Sequence, residues 1–259
     1  MEKNKPEKGE HSLLTYYLKK YPRLAVAFSG GVDSSYLLYS AKIAGCDVRA
    51  YFVKSQFQPQ FELDDAKKLA DSLNVPLVIG TVDALCDKSI VKNPTDRCYY
   101  CKNAILTKLW EMAHADDITT LCDGSNADDD EGDRPGMRAA AEQGIVSPLR
   151  DCGLTKADIR SLSKKAGLFT HDKPSYACLA TRVPTGMEIT AEMLEKIENA
   201  EESLFDMGFS DFRVRVASGD TAKLQFPKTE WIRAATMRDL ITDALQPYFS
   251  NIMLDMKTR

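Results

Sequence analysis

Ser29-Gly30-Gly31-Val32-Asp33-Ser34-Ser35 combines the side chains an anion site needs with a backbone able to approach its ligand. Gly30 and Gly31 permit a tight turn. Ser29, Ser34 and Ser35 supply hydroxyls, and a helix beginning near Ser34 adds unpaired N–H groups. Asp33, a carboxylate in the same turn, can hold Mg²⁺ against phosphates. No Lys or Arg lies within the loop, so the lysine-bearing G-x-x-x-x-G-K-[ST] phosphate loop is absent.

Thiols form a second set. Cys98-Tyr99-Tyr100-Cys101 has a spacing shared by redox pairs, half zinc sites and iron–sulfur sites. No second C-x-x-C exists, and His11, His114 and His171 show no paired ligand spacing. Cys178 lies in Pro174-Ser175-Tyr176-Ala177-Cys178-Leu179-Ala180-Thr181-Arg182, a loop segment of the kind that carries function. Cys98, Cys101 and Cys178, in two loops facing one pocket, could hold a [4Fe–4S] cluster with one iron open to an extra sulfide. A zinc staple or unligated thiols is the plainer alternative. Cys46, Cys86, Cys122 and Cys152 read as ordinary thiols.

Asp123-Gly124-Ser125-Asn126-Ala127-Asp128-Asp129 can bring backbone to a nucleotide at Gly124 and Ser125 and hydrogen-bond it through Asn126. Its carboxylates can join Asp33 around Mg²⁺, or simply form a solvated acidic loop. Arg134, Arg138, Arg182, Arg213 and Arg215 are candidates to grip an anionic substrate. Arg213 and Arg215 alternate along a strand and so share a face.

These residues need a scaffold, and the hydrophobic pattern supplies one. A helix over 11–20 ends at Pro22, and strand 24–28 enters the serine–glycine loop and a helix over 34–44. Strand 48–53, helix 61–73 and a strand opening at Pro76 follow. A helix over 101–115, just after the C-x-x-C loop, leads to a strand over 118–122. An apolar segment at 145–149 follows a short helix, and Thr155 with Asp158 caps a helix over 156–166. Alternating strand and helix predicts an α/β fold with a doubly wound parallel sheet, its ligands beyond the carboxyl ends of the strands. After a long loop over 168–188 the texture changes to a helix over 191–207, antiparallel strands at 212–216 and 223–226, and a helix over 229–245. Two domains are expected, 1–170 and a smaller α+β domain, 171–259.

Composition narrows the function classes. No apolar run approaches a membrane span, and the charged opening has no signal-peptide core, which places the protein in the cytoplasm. Thirty-four basic against thirty-eight acidic residues leave a net charge of −4, which tilts the substrate away from nucleic acid. Seven cysteines in a cytosolic setting argue against a disulfide framework.

SGGVDSS resembles the pyrophosphate loop of the N-type ATP pyrophosphatases, the PP-loop superfamily. The combination of SGGVDSS, CYYCK at 98–102, DGSNADD at 123–129, RPGMRAAAEQGIVSPL at 134–149, LTKADIRSLSKKAGL at 154–168, PSYACLATR at 174–182 and GFSDFRVRV at 208–216 resembles the LarE family of sulfur transferases. That resemblance implies an adenine nucleotide alpha hydrolase-like first domain and a second domain for substrate binding and oligomerisation. It implies adenylylation of a carboxylate of pyridinium-3,5-biscarboxylic acid mononucleotide by ATP·Mg²⁺, then displacement of AMP by sulfur to give a thiocarboxylate of the nickel-pincer nucleotide. The family has two sulfur sources: a [4Fe–4S] cluster on three cysteines, or a sacrificial cysteine at the position of Cys178. Cys98, Cys101 and Cys178 favour the cluster. By the same resemblance Glu201, Arg213 and Arg215 match the substrate-contact region, Arg182 matches a phosphate contact, and homo-oligomers are expected. Gly124-Ser125-Asn126 has serine where the family often has threonine, which keeps the hydroxyl.

Three rival readings remain. A tRNA thiolase on the same scaffold would need a basic RNA surface. A synthetase making NAD or GMP would leave the three cysteines unexplained. A nucleotide-binding regulatory module or zinc-stapled scaffold would not turn over, and release of pyrophosphate from ATP separates it from an enzyme.

Overall fold

The computed structural model describes residues 10–129, 135–218 and 220–259. Helix α1 (Glu10–Leu18) leads into β1 (Arg23–Ala27), a strand whose centre is apolar on both faces. Leu24 and Val26 are buried with Leu14, Leu18, Leu37 and Ile159 on one side. Ala25 is buried with Tyr51, Leu106 and Leu121 on the other. A strand covered on both faces belongs inside a parallel sheet.

That sheet is assembled from α2 (Val32–Ile43), β2 (Asp47–Lys54), α3 (Gln60–Ser72) and β3 (Leu77–Thr81). After α4 (Lys88–Val91) and α5 (Arg97–Ala115), β4 (Leu121–Cys122) pairs with the free side of β1. The order is β3-β2-β1-β4, with every pair parallel, as the sequence predicts. The order reverses between β1 and β4, and such a switch point opens a ligand crevice at the carboxyl ends of the strands.

The strand expected over 118–122 shrinks, and the apolar segment at 145–149 forms no strand of its own. Ile118 donates its N–H to Ala113 at the end of α5, which delays β4 until Leu121. Val146 makes one parallel bridge to Cys122. After α6 (Pro135–Glu142), Pro148 opens α7 (Pro148–Asp151) two residues past that bridge, because proline has no N–H for a ladder and suits a first helical turn. Helix α8 (Lys156–Lys165) starts on the expected capping box: Thr155 and Asp158 each bind the other's backbone N–H.

The chain divides into two compact units. The first comprises Met1–Ser55, Gln60–Val82 and Cys98–Lys173. The second comprises Gln56–Pro59, Asp83–Arg97 and Pro174–Arg259. In the second, α9 (Ala191–Asp206) precedes β5 (Arg213–Val216) and β6 (Thr221–Gln225), which pair antiparallel as expected. The helix expected over 229–245 is broken at Met237 into α10 (Lys228–Thr236) and α11 (Arg238–Leu245). β7 (Asn251–Leu254), absent from the sequence reading, adds to β6 in parallel. Phe209, Phe212 and Phe226 pack as tilted rings in this unit's core, with centroids 4.9 Å apart for Phe209 and Phe226 and 5.9 Å for Phe212 and Phe226. Among the described residues no helix is long and apolar enough to cross a membrane.

Candidate functional site

The loop between β1 and α2 belongs to the first unit. Gly30 has a φ of +71°, and a Cβ there would meet Glu62 O at 3.0 Å, so turn and packing both demand glycine. Helix α2 starts at Val32, two residues earlier than expected, and Gly31 caps it without a side-chain hydrogen bond. Ser29 Oγ and Ser34 Oγ lie 3.1 Å apart, and Ser34 Oγ donates to Gly31 O at 3.2 Å. Ser35 is fully buried, and its Oγ has no partner among the described residues. Asp33 accepts Lys156 Nζ on Oδ2 at 2.5 Å, while its buried Oδ1 has no partner among the described residues.

The loop after β4 presses on the same turn. A Cβ on Gly124 would lie 2.8 Å from Ser34 N, so only glycine allows that approach. The acidic side chains here build the loop itself rather than gathering around Asp33. Asp123 accepts from Ser125 N at 3.1 Å, Ser125 Oγ at 2.8 Å and Ser147 Oγ at 2.8 Å. Asn126 Oδ1 accepts Asp128 N, Asp128 accepts Lys156 N, and Asp129 accepts Asn126 N. Unfilled donors, a bare helix start and an unpartnered carboxylate oxygen suit a polyphosphate with a divalent cation on Asp33.

Cys98 and Cys101 fall inside α5, not in a loop before it. Arg97 N already closes a turn onto Pro94 O, which starts the helix ahead of both thiols. Their three-residue spacing then puts them on one helix face. Arg138 stacks on Tyr99, 4.3 Å from the ring centroid, and pairs with Glu142, which Tyr99 also binds. Arg134 lies outside the described residues.

In the second unit the loop around Cys178 is held by arginines. Arg213 Nη2 donates to Ser175 O at 2.8 Å and Arg182 Nη1 to Ala177 O at 2.7 Å. Arg97 Nη1 donates to Ala180 O at 3.0 Å and Arg215 Nη1 to Thr181 O at 2.6 Å. Arg182 is itself buried on Glu201, with Nε to Oε1 at 2.8 Å and Nη2 to Oε2 at 3.0 Å. Glu201 also accepts Val214 N at 2.9 Å and the Tyr176 hydroxyl. Burial works against the Arg182 charge, but Glu201 outweighs it and raises the guanidinium pKa. Arg213 has only a looser ion pair, Nη1 to Asp211 Oδ1 at 3.9 Å, and burial, then Arg182 and Arg259, push its pKa down to about 10. Thus Arg182, Arg213, Arg215 and Glu201, expected to meet substrate, are bound to the backbone beneath Cys178 and to one another.

Among the described residues, no group of three or more His, Cys, Asp or Glu side chains could hold a metal ion. Cys98 and Cys101 belong to the first unit and Cys178 to the second, so neither unit carries a complete thiolate set for a [4Fe–4S] cluster. Cys122 and Cys152 behave as ordinary thiols: burial pushes the first up to about 12 and the second to about 11.

No family model matches the chain. It is 31% identical over 242 residues to the pyridinium-3,5-bisthiocarboxylic acid mononucleotide synthase of Lactiplantibacillus plantarum, covering 92% of this chain and 87% of that one. The chain belongs to the LarE family. An uncharacterized protein of Synechocystis is 30% identical over 248 residues, covering 94% and 92% of the two chains. The tRNA-specific 2-thiouridylase MnmA of Pseudothermotoga lettingae is 26% identical over 190 residues, covering 58% and 54%. These likenesses place this LarE-family chain within the PP-loop ATP pyrophosphatase group.

Reading this LarE-family sequence residue by residue missed Lys156, Lys173, Asn93 and Arg97. Lys173 Nζ meets Asp65 Oδ2 at 2.6 Å and Gly30 O at 3.4 Å. Asn93, at a left-handed φ of 51°, donates to Pro184 O at 2.8 Å and accepts Arg97 at 2.5 Å. Each partner lies far off in sequence or in an unpatterned loop. Only the asparagine, a residue that tolerates left-handed backbone, left a local signal.

Proposed function

We propose that this protein is a cytoplasmic ATP-dependent sulfurtransferase that adenylylates a carboxylate of pyridinium-3,5-biscarboxylic acid mononucleotide and replaces one of its oxygens with sulfur. One observation carries the nucleotide half: Ser29–Ser35 offers backbone and hydroxyl donors against Gly124, with the buried Asp33 Oδ1 and Ser35 Oγ unpartnered. The substrate half rests on the likeness to the L. plantarum synthase across both chains.

A carboxylate is a poor acyl donor. In the first step its oxygen attacks the α-phosphorus of ATP and pyrophosphate leaves with the electron pair. A sulfur nucleophile then attacks the activated carbonyl, and AMP leaves. Ser29, Gly30, Gly31, Ser34 and Ser35 bind the phosphates, and Gly124, Ser125 and Asn126 close on the nucleotide. Asp33 would hold Mg²⁺, which would neutralise phosphate charge. Arg182, Arg213 and Arg215, held by Glu201 and the Cys178 loop, give that segment a positive field suited to an anionic nucleotide. Sulfur comes by way of Cys98, Cys101 and Cys178. The thiol number and C-x-x-C spacing support the cluster source, and Cys178 as sacrificial donor is the second source. Exposed Ile232, Leu240 and Met256 support a homo-oligomer.

The test is anaerobic incubation with ATP, Mg²⁺ and the biscarboxylic mononucleotide. Expected are AMP, pyrophosphate and a product heavier by the exchange of oxygen for sulfur; C178A should lose the sulfur-containing product and the AMP released with it, while the first-step release of pyrophosphate remains. ATP turnover without sulfur in the product would overturn the reading. Iron bound by wild type and lost in C98A marks the cluster source; iron-free protein whose Cys178 becomes dehydroalanine marks the sacrificial one.

A further inference from the structure

The segment from Cys178 to Ile189 has little regular structure of its own: one 3₁₀ turn, Leu179–Arg182, and no strand. Its backbone is fixed instead by two stretches from far earlier in the chain, which belong to the same compact unit. Leu179 N donates to Phe57 O at 2.9 Å. The other contacts come from 91–97. Ile189 N donates to Val91 O at 2.9 Å and Gly186 N to Asn93 O at 2.8 Å. Asn93 Nδ2 donates to Pro184 O at 2.8 Å and to Val183 O at 3.2 Å. Asn93 Oδ1 accepts Arg97 Nη1, which also donates to Ala180 O at 3.0 Å.

Both side chains are buried, and Asn93 holds a left-handed φ of 51°. A buried guanidinium and a strained backbone cost stability that apolar packing would not, so the arrangement points to a position that must be held. That position is a thiol's. Ala180 follows Cys178 by two residues, and Arg97 is joined to Cys98 by a peptide bond. Arg97 N also closes the turn on Pro94 O that starts α5. One residue thus grips the Cys178 segment with its side chain and opens the C-x-x-C helix with its backbone.

We propose that Arg97 and Asn93 are positioning residues for the sulfur step, holding the Cys178 backbone while AMP is displaced and leaving adenylylation untouched. The inference rests on the sulfurtransferase reading above and adds two residues to it. In that step a bond forms between sulfur and the activated carbonyl carbon. The bond from that carbon to the AMP oxygen breaks, and AMP takes the electron pair. Sulfur must stand within reach of the carbonyl, and a misplacement near 1 Å costs about a hundredfold in rate. Arg97 gives and takes no proton here. It holds Ala180, and through Ala180 the thiol two residues before it.

Anaerobic single turnovers of the full chain with ATP, Mg²⁺ and the biscarboxylic mononucleotide test this in wild type, R97M, R97K and N93G, in which glycine keeps the left-handed backbone. R97M is expected to release its first pyrophosphate within about twofold of the wild-type rate, but to form the sulfur-containing product about ten- to a hundredfold more slowly. N93G should shift in the same direction, and R97K should recover part of the loss; these two decide the matter if R97M does not fold. In the resting protein, amide exchange across 178–189 should quicken about tenfold in R97M, with 29–35 unchanged. Equal losses in both steps would make the pair merely structural, and an unchanged product rate would make it a bystander; either overturns the proposal. Wild type that forms no sulfur-containing product removes the sulfurtransferase reading itself, and this inference with it.

Discussion

Glu201 accepts four hydrogen bonds, two from Arg182 and one each from Val214 N and Tyr176. Its charged donor among the described residues, Arg182, has a side chain that is 0% exposed. Removing the carboxylate would strand that guanidinium in the core. E201A is therefore expected to lower unfolding stability by about 3–5 kcal/mol, read from urea titration. A loss under about 1 kcal/mol would mean that water or another residue takes over the charge. Arg182 and Glu201 illustrate what residue types alone conceal. An arginine chosen as an anion grip looks the same in sequence as one closing a core, and only the burial of its partner separates them. The turn that carries Asp33 was legible because glycines and serines surround it, whereas Lys156 carried no local mark of its distant contact.

The elements were most legible where local chemistry sets them. Thr155 and Asp158 exchange hydrogen bonds at the start of α8, so a four-residue pattern located that helix. T155A should cost about 1 kcal/mol. The Thr155 hydroxyl and backbone N–H also hold the Asp158 carboxyl below its ordinary value. An acid with a lowered folded pKa contributes stability that is complete above the unfolded value, near 3.9, and disappears as pH falls through the folded one. The gap in urea midpoint between wild type and D158N should stay constant near neutrality and close below about pH 4. A gap that widens in acid would contradict this linkage. Elements set by distant partners were harder to see. The start of α5 depends on a turn at Pro94 and on Arg97 bonded to Ala180, so the C-x-x-C seemed to precede a helix it in fact lies within. β7 is four residues long and needs β6 beside it.

At the scale of the molecule, strand–helix alternation was enough to foresee the parallel sheet, because both faces of β1 are apolar within a single run. The small mixed sheet was legible only in its antiparallel half. Truncation after Ser250 would remove β7, the acceptors that Asp255 gives Trp231 and Gln225, and the pairing of one edge of β6. An unpaired edge invites association. The truncated chain should unfold at lower temperature and aggregate on heating, as followed by circular dichroism and light scattering, while pyrophosphate binding at Ser29–Ser35 persists. An unchanged midpoint would show β7 to be dispensable. The Arg182–Glu201 pair also bears on ancestry. Substituting either partner alone leaves a buried charge, so single changes pass through a poorly folded intermediate. A lineage could discard the pair only by replacing both residues together or after gaining stability elsewhere, and the two positions should therefore change in concert among descendants.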